Sequence, residues 1–395
     1  MLAPVRPAAS DERTPLVNTT ILQQPKRLLF GNGCAQRSAE EFIAAGRRRL
    51  FVVTGPHVAK ATAPLVDSWR AAGLVVEVCS RVNREPDTAL FLEVLAVARA
   101  FGPDGIVGLG GGSPLDTSKL VAALLDGRQD VKATFGIGNL QGRGTWLACV
   151  PTTAGSGAEV SPNAVLIDEN LKKGVISPHL VADLAICDPD LTISSPPGVT
   201  ASTGIDALVH CIEGFANKAA HPAVDLYALE GIRRIGRSIE TAVREGTNRE
   251  ARADVMLGAI YGGLCLGPVN TAAVHALSAP LGGEYRVAHG VANSLLMPHV
   301  FRFNLPAMPE RYAEVARALG VATAGSALAT AEAGVARLTE LSKACGVPQR
   351  LRDVNIPVAD LPKCALAASK IQRLLKNNPR EVTEADALAL FRAAY

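Results

Sequence analysis

Aromatic residues are scarce in this chain. Phe, Tyr and Trp make up 4% of 395 residues, and only two are Trp. Leu, Val, Ala and Ile must therefore fill the interior, and a hydrophobic content of 48% lets them do so and excludes a disordered chain. Paired cysteine motifs are missing as well: the eight cysteines form no CxxC. Most lie in apolar runs such as 147–150 and 185–187, and they read as reduced core residues of a cytoplasmic protein, not as a disulfide framework. No apolar run reaches the roughly 18 residues of a membrane span. The N-terminus also lacks the apolar core of a secretion signal. Basic tracts are absent too. The formal net charge is +3, and the densest positive cluster, Arg47-Arg48-Arg49, precedes an apolar strand. It reads as a helix end or solvated turn, so a nucleic-acid partner is not expected.

What is present suggests two domains. The first half alternates short apolar runs with helical stretches. Strands are expected at 50–54, 74–78 and 105–109, with further ones at 146–150 and 163–167. Helices are expected near 57–72, 88–101 and 114–125. That order predicts a parallel α/β sheet. After Ser194-Ser195-Pro196-Pro197 the apolar residues recur at three and four, as in Ala207, Leu208, Cys211 and Phe215, which predicts helices. The double proline marks a hinge. The expected organisation is a loose extension over 1–22, an α/β dinucleotide-binding domain over 23–195, and an all-α, metal-binding domain over 196–395.

Two sets of residues carry chemistry. Asp206 and His210 are one helical turn apart and share a face. His275 and His289 lie in small-residue segments, the second between Gly282-Gly283 and Gly290. One carboxylate and three imidazoles suit Fe²⁺ or Zn²⁺. Glu213 follows His210 by three and reads as a supporting group for that site, not a ligand. His299, in Met297-Pro298-His299, reads as a capping or packing residue. The second set is a glycine loop, Gly110-Gly111-Gly112-Ser113-Pro114, running from a strand into a helix. Its backbone and the helix N-terminus suit a diphosphate, and Pro114 suits the first helical turn. It is neither GxGxxG nor a Walker loop, and a plain tight turn is the alternative. Asp116 and Lys119 follow on the same helix. A second small-residue loop, from Pro151-Thr152-Thr153 to Glu159, offers hydroxyls and backbone N–H groups to a ribose or an amide, or is a surface turn. Together the two sets point to a metal-dependent nicotinamide oxidoreductase.

From about Pro25 onward the chain resembles the iron-containing (group III) alcohol dehydrogenases. Residues 110–119 are similar to that family's GGGSxxDxxK, 151–159 to PTTxGTGSE and 203–210 to TGxDAxxH. The segment from His275 through Gly282-Gly283 to His289-Gly290-Val291-Ala292-Asn293 matches its paired-histidine segment. The resemblance implies a dehydroquinate-synthase-like fold with cofactor and metal in the cleft between its two parts. It implies Asp206, His210, His275 and His289 as ligands, Gly110, Gly111, Gly112 and Ser113 at the pyrophosphate, and Asp116, Thr152 and Thr153 beside the dinucleotide. Lys173 would reach the ribose, with Lys172 adjacent as the competing choice. The implied activity is hydride transfer between an alcohol or aldehyde and NAD or NADP, with the metal as Lewis acid, in a homo-oligomer, by default a homodimer.

Three departures from the family pattern stand out. Ala279 replaces a His or Tyr expected four residues after His275, which widens the pocket and argues against the usual small alcohols. Gly55 replaces an Asp found in NAD-specific members, so NADP(H) is admissible. Ser156 and Ala158 replace Thr and Ser. Rival readings are a metal-free reductase of the maleylacetate reductase type, a dehydroquinate-synthase-like lyase, and a nucleotide-binding protein without turnover. Retention of Asp206 and His210 argues against the first of these.

Overall fold

The computed structural model describes residues 19–169 and 171–395. The first eighteen residues of the expected extension lie outside that range. Six strands form a parallel sheet: β1 (Arg27–Phe30), β2 (Arg49–Val53), β3 (Val75–Cys79), β4 (Gly105–Gly110), β6 (Trp146–Pro151) and β9 (Leu184–Cys187). Their order is β1-β9-β6-β4-β2-β3. Three more, β5 (Gly136–Ile137), β7 (Asn163–Asp168) and β8 (Leu171–Ile176), form a separate sheet in the order β5-β8-β7. Residues 163–167 are thus a strand as expected, but one paired antiparallel with β8 and outside the main sheet. Both edges of the expected helix at 57–72 are also right, yet it is two helices, Pro56–Ala61 and Ala63–Ala71. Pro64 explains the break, because it has no N–H to continue the ladder.

Strand alternation distributes the apolar residues to both faces of the main sheet. Phe51, Val53, Ile106, Leu147 and Cys149 point to one core, against the helices Thr88–Phe101 and Gly112–Leu124. Leu50, Val52, Val107, Ala148 and Val150 point to the other, where Phe42 meets Trp69 edge-on at 5.1 Å and Trp146 at 5.9 Å. Both tryptophans of an aromatic-poor chain are therefore spent on a single cluster. Burial on both faces is the condition under which a parallel sheet is stable.

From Pro197 onward the described residues are helical. The helix Pro197–Phe215 is the hub: fourteen of its residues from Thr200 onward are buried. Around it pack Pro222–Arg244, Arg249–Leu266 and His289–Asn304. Among the described residues no helix is long and apolar enough to cross a membrane.

Asp183, at the start of β9, ties three strands together. It accepts from Arg143 Nη1 at 2.6 Å, Lys26 Nζ at 2.7 Å and the backbone N–H of Leu147 at 3.0 Å. Burial pushes its carboxyl upward, but Arg143 and Lys26 outweigh it and hold the group below its ordinary value of 3.8. A lowered folded-state pKa stabilises the fold above the unfolded value, and the contribution is lost as pH falls through the folded value. Asp183→Asn should therefore lower Tm clearly at pH 7, by the equivalent of about 2–4 kcal/mol. The gap from the parent protein should shrink as pH drops below 3.8. Calorimetry across that range checks it; a gap that does not change with pH would refute the ion-pair account.

Candidate active site

The connections from β2 and β4 leave the sheet in opposite directions, toward β3 and toward β6. The crevice beyond their carboxyl ends is where open α/β sheets bind ligands. Gly55 follows β2 and Gly111-Gly112-Ser113 follows β4, so the sequence brings both to that crevice. Gly110 has φ of 153°, a conformation that side chains avoid, and a Cβ there would lie 2.8 Å from the Pro114 ring. The loop then enters the helix Gly112–Leu124, and a helix N-terminus is a place where anions are favoured.

The second loop lies directly over the first. Thr152 N–H donates to Gly110 O at 2.9 Å, Thr153 Oγ1 stands 3.2 Å from the position of a Cβ on Gly111, and Ser156 Oγ lies at the same distance from one on Gly112. Asp116 is engaged by the protein itself: its Oδ2 accepts from the Val165 N–H at 3.0 Å, and burial pushes the carboxyl up to about 6 against the pull of Lys119. Lys119 is buried and donates to the carbonyls of Ser161 and Asn163, both at 2.8 Å, which ties the glycine-loop helix to β7.

Lys173 Nζ donates to Asp168 at 2.7 Å and stands over the Phe135 ring. Alternation along β8 turns Lys172 the other way. There its Nζ bonds Glu85 at 2.7 Å, lies 3.1 Å from a Cβ position on Gly282, and depresses the basicity of His289. A Cβ on Gly55 would sit 2.7 Å from the Val82 carbonyl oxygen, so the glycine is required by the segment that crosses it.

The polar cluster in the helical part is built around one carboxylate. Asp206 Oδ1 lies 3.8 Å from His210 Nε2, 3.5 Å from His275 Nε2 and 3.7 Å from His289 Nε2. Four donors around an ion with bonds of about 2.0–2.2 Å stand roughly 3.3–3.6 Å apart, so the His275 edge falls in that range and the other two lie slightly beyond it. Asp206, His210 and His275 are buried and hold their donor atoms within 4.8 Å of one another. His289 stands at the open side, with its side chain 36% exposed. Burial works against the Asp206 charge, but His210, His289 and His275 outweigh it and hold the carboxyl well below the usual range. Burial pushes His210 and His289 down, toward the neutral form that a metal requires.

Glu213, read from sequence as a supporting group, is placed as one. Its carboxylate accepts from His275 Nδ1 at 2.6 Å and from the N–H groups of Val274 and Ala272 at 2.6 and 3.0 Å. Burial opposes a charge on His275, yet Glu213 and Asp206 raise it to about 9. With Nδ1 donating to Glu213, Nε2 is the atom left to offer a lone pair to the centre of the cluster. The donor set therefore fits a divalent transition metal. Asn293, which sequence reasoning quoted but gave no role, also reaches this cluster; only its i+4 spacing from His289 hinted at it.

Glycines bring the parts together. A Cβ on Gly290 would meet the Ser202 carbonyl oxygen at 1.9 Å, so the helix that begins at His289 rests backbone to backbone on the helix that carries Asp206 and His210. A Cβ on Gly155 would lie 2.6 Å from Thr203 Cβ, and one on Gly157 would lie 2.4 Å from Gly263 Cα. The second loop is thereby clamped between the glycine loop and the metal-cluster helix. Gly290→Ala should separate the two helices, cost about 1–3 kcal/mol or more, and lower bound metal in the purified protein. Calorimetry and elemental analysis check this; an unchanged Tm and metal content would show that the contact is slack.

The comparisons with known proteins agree with this geometry. The family model described as iron-containing alcohol dehydrogenase matches residues 25–189, and that of the C-terminal region of the Fe-containing alcohol dehydrogenase family matches 200–395. The chain is 36% identical over 377 residues to long-chain-alcohol dehydrogenase 1 of Geobacillus thermodenitrificans, covering 92% of this chain and 94% of that protein. It is 34% identical over 378 residues to 1,3-propanediol dehydrogenase of Klebsiella pneumoniae, covering 94% and 97%. A crystal structure of 1,3-propanediol oxidoreductase superposes with a TM-score of 0.92 at 34% identity, covering 96% of this chain and all of that one. With both halves matched, the chain belongs to the iron-containing alcohol dehydrogenase family, whose members are metal-dependent, NAD(P)-linked oxidoreductases of alcohols and aldehydes.

Proposed function

We propose that Asp206, His210, His275 and His289 hold the divalent cation, Fe²⁺ or Zn²⁺, and that Gly110, Gly111, Gly112, Ser113, Thr152 and Thr153 hold the dinucleotide. The observation that carries this reading is the convergence of three imidazole Nε2 atoms on one carboxylate oxygen at 3.5–3.8 Å. When bound, the cation supplies Lewis-acid polarisation of the alcohol or aldehyde oxygen, and the nicotinamide takes or gives the hydride. The chain's own residues do the rest. Glu213 fixes the tautomer of His275, and the helix N-terminus at Gly112 faces the diphosphate charge. The second loop holds cofactor and metal clusters at one separation, which is the positioning that hydride transfer requires. Lys172, in place of Lys173, presents its ammonium group beside His289 and serves the cofactor side of the cleft.

Ala279 lies one turn after His275 and is half-buried. A methyl group at that position leaves room that a larger side chain would take. It also leaves no ionisable group there, so the alcohol proton leaves through water or cofactor hydroxyls. The room fits an extended alcohol, in keeping with the long-chain-alcohol relative. We further place the domain division at 195/196, in the segment before the helix Pro197–Phe215, and assign the protein to the cytoplasm as a homodimer.

Metal-stripped protein should not oxidise NADH or NADPH with aldehydes of graded chain length, and should gain that activity when Fe²⁺ or Zn²⁺ is restored under anaerobic conditions. His275→Ala should lose at least about 100-fold in restored activity, since each supporting or ligating group contributes 10–100-fold or more. Absorbance of the reduced nicotinamide reads both. Equal rates without metal, or full activity in His275→Ala, would overturn the ligand assignment.

A further inference from the structure

Asn293 is fully buried on the helix His289–Asn304, four residues after His289. Its Nδ2 donates to Asp206 Oδ1 at 2.7 Å and lies 3.2 Å from His275 Nε2 and 3.4 Å from His289 Nε2. One amide nitrogen thus borders three of the four groups in the cluster. These separations are longer than the 2.0–2.2 Å or so of a bond to a central metal. They are the spacings of a group packed against the donor atoms.

The other end of the same amide is informative. Asn293 Oδ1 is buried and has no hydrogen-bond partner. Turning the amide over would bring that oxygen against the Asp206 carboxylate, acceptor against acceptor. Asp206 is the nearest of the amide's partners, and a buried carbonyl goes unpaired so that the N–H can stay on the carboxylate. A carboxylate oxygen has lone pairs enough to accept this N–H and still face a cation. Glu213 fixes His275 from behind through Nδ1. At 2.7 Å the Asn293 amide approaches Asp206 Oδ1 more closely than any of the three imidazoles, so it is the group best placed to fix this carboxylate.

We propose that Asn293 is a positioning residue for the metal. Its N–H locks the Asp206 carboxylate in the orientation that completes the donor set, and this sets both the affinity for the cation and the symmetry of its surroundings. The proposal rests on the reading of Asp206 as a ligand.

The test uses the full-length protein stripped of metal and titrated with Co²⁺ against a chromophoric chelator, with the visible absorption of bound Co²⁺ recorded. Asn293→Ala and Asn293→Asp, the second keeping the shape but not the donor, should each bind Co²⁺ about 10–100-fold more weakly than the parent and shift its absorption bands. NADPH binding to the stripped variants, followed by fluorescence, should be unchanged, which separates a local effect from misfolding. Parent-like affinity and bands in Asn293→Ala would overturn the proposal. So would loss in Asn293→Ala with retention in Asn293→Asp, because the oxygen and not the N–H would then face the cation. Asp206→Ala separates the two levels. If it binds Co²⁺ as the parent does, the ligand assignment fails and takes this proposal with it. If it loses Co²⁺ while both Asn293 variants keep it, only the role of Asn293 fails.

Discussion

A carboxylate removed from water must be compensated by positive charge or by donors, at a cost of several kcal/mol if it is not. Asp206 is such a group, buried on the helix Pro197–Phe215, and among the described residues its ion-pair partners are His210, His275 and His289. The groups that face it are three imidazoles and the Asn293 amide. Two of these imidazoles are themselves pushed toward the neutral form by burial. The cluster is thus short of positive charge by design, and a divalent cation is the partner that would complete it. Much of the helical half serves to hold this arrangement. The Glu213 carboxylate, another buried anion, accepts two backbone N–H groups in addition to His275, so its charge is spread over the start of the helix Ala273–Tyr285 and does not compete for the centre.

Gathering Asp206, His210, His275 and His289 from three helices demands that the helix backbones approach more closely than ordinary side chains allow. Gly290 permits that where its helix meets Ser202, and Gly262 does so where the helix Arg249–Leu266 meets Ala207 O and His210 Cβ, each 3.1 Å from its Cβ position. The same device extends across the cleft. Gly155 and Gly157 let the second loop lie against Thr203 and Gly263, while Gly111 and Gly112 let it lie against the first loop. The diphosphate-type loop and the metal cluster are therefore linked by a single short segment, and displacement of that segment would misplace one half of the reaction relative to the other.

Much of this was legible in the sequence, for identifiable reasons. Strands buried on both faces leave continuous apolar runs, so β2, β4 and β6 were visible, and the change to a three-and-four spacing after Pro197 marked the helical half. Asp206, His210, His275 and His289, which the structure gathers, could be picked out because few residue types bind metals and the chain has seven histidines. What stayed hidden was carried by residues without such a signature. β8 holds Lys172 and Lys173 and reads as polar, so its existence and the opposite directions of the two lysines appear only once β7 and β8 are paired. β1 and β9 are four residues each, too short for alternation to show. Asn293 looks like any helix-interior amide until the helix is laid over Asp206.

The exposure of the cluster is uneven, and that asymmetry has a mechanistic meaning. Asp206, His210 and His275 have side chains 6–8% exposed, whereas His289 is 36% exposed. A site that acts on a substrate needs one open direction, and a structural site does not. On that exposed side the Lys172 ammonium group from β8 acts on His289 and lowers its basicity. Glu213, by contrast, stands behind the buried His275. The rigid side fixes geometry and the open side admits chemistry, and this division explains why a single helix, Pro197–Phe215, contributes Asp206, His210 and Glu213 to one buried wall.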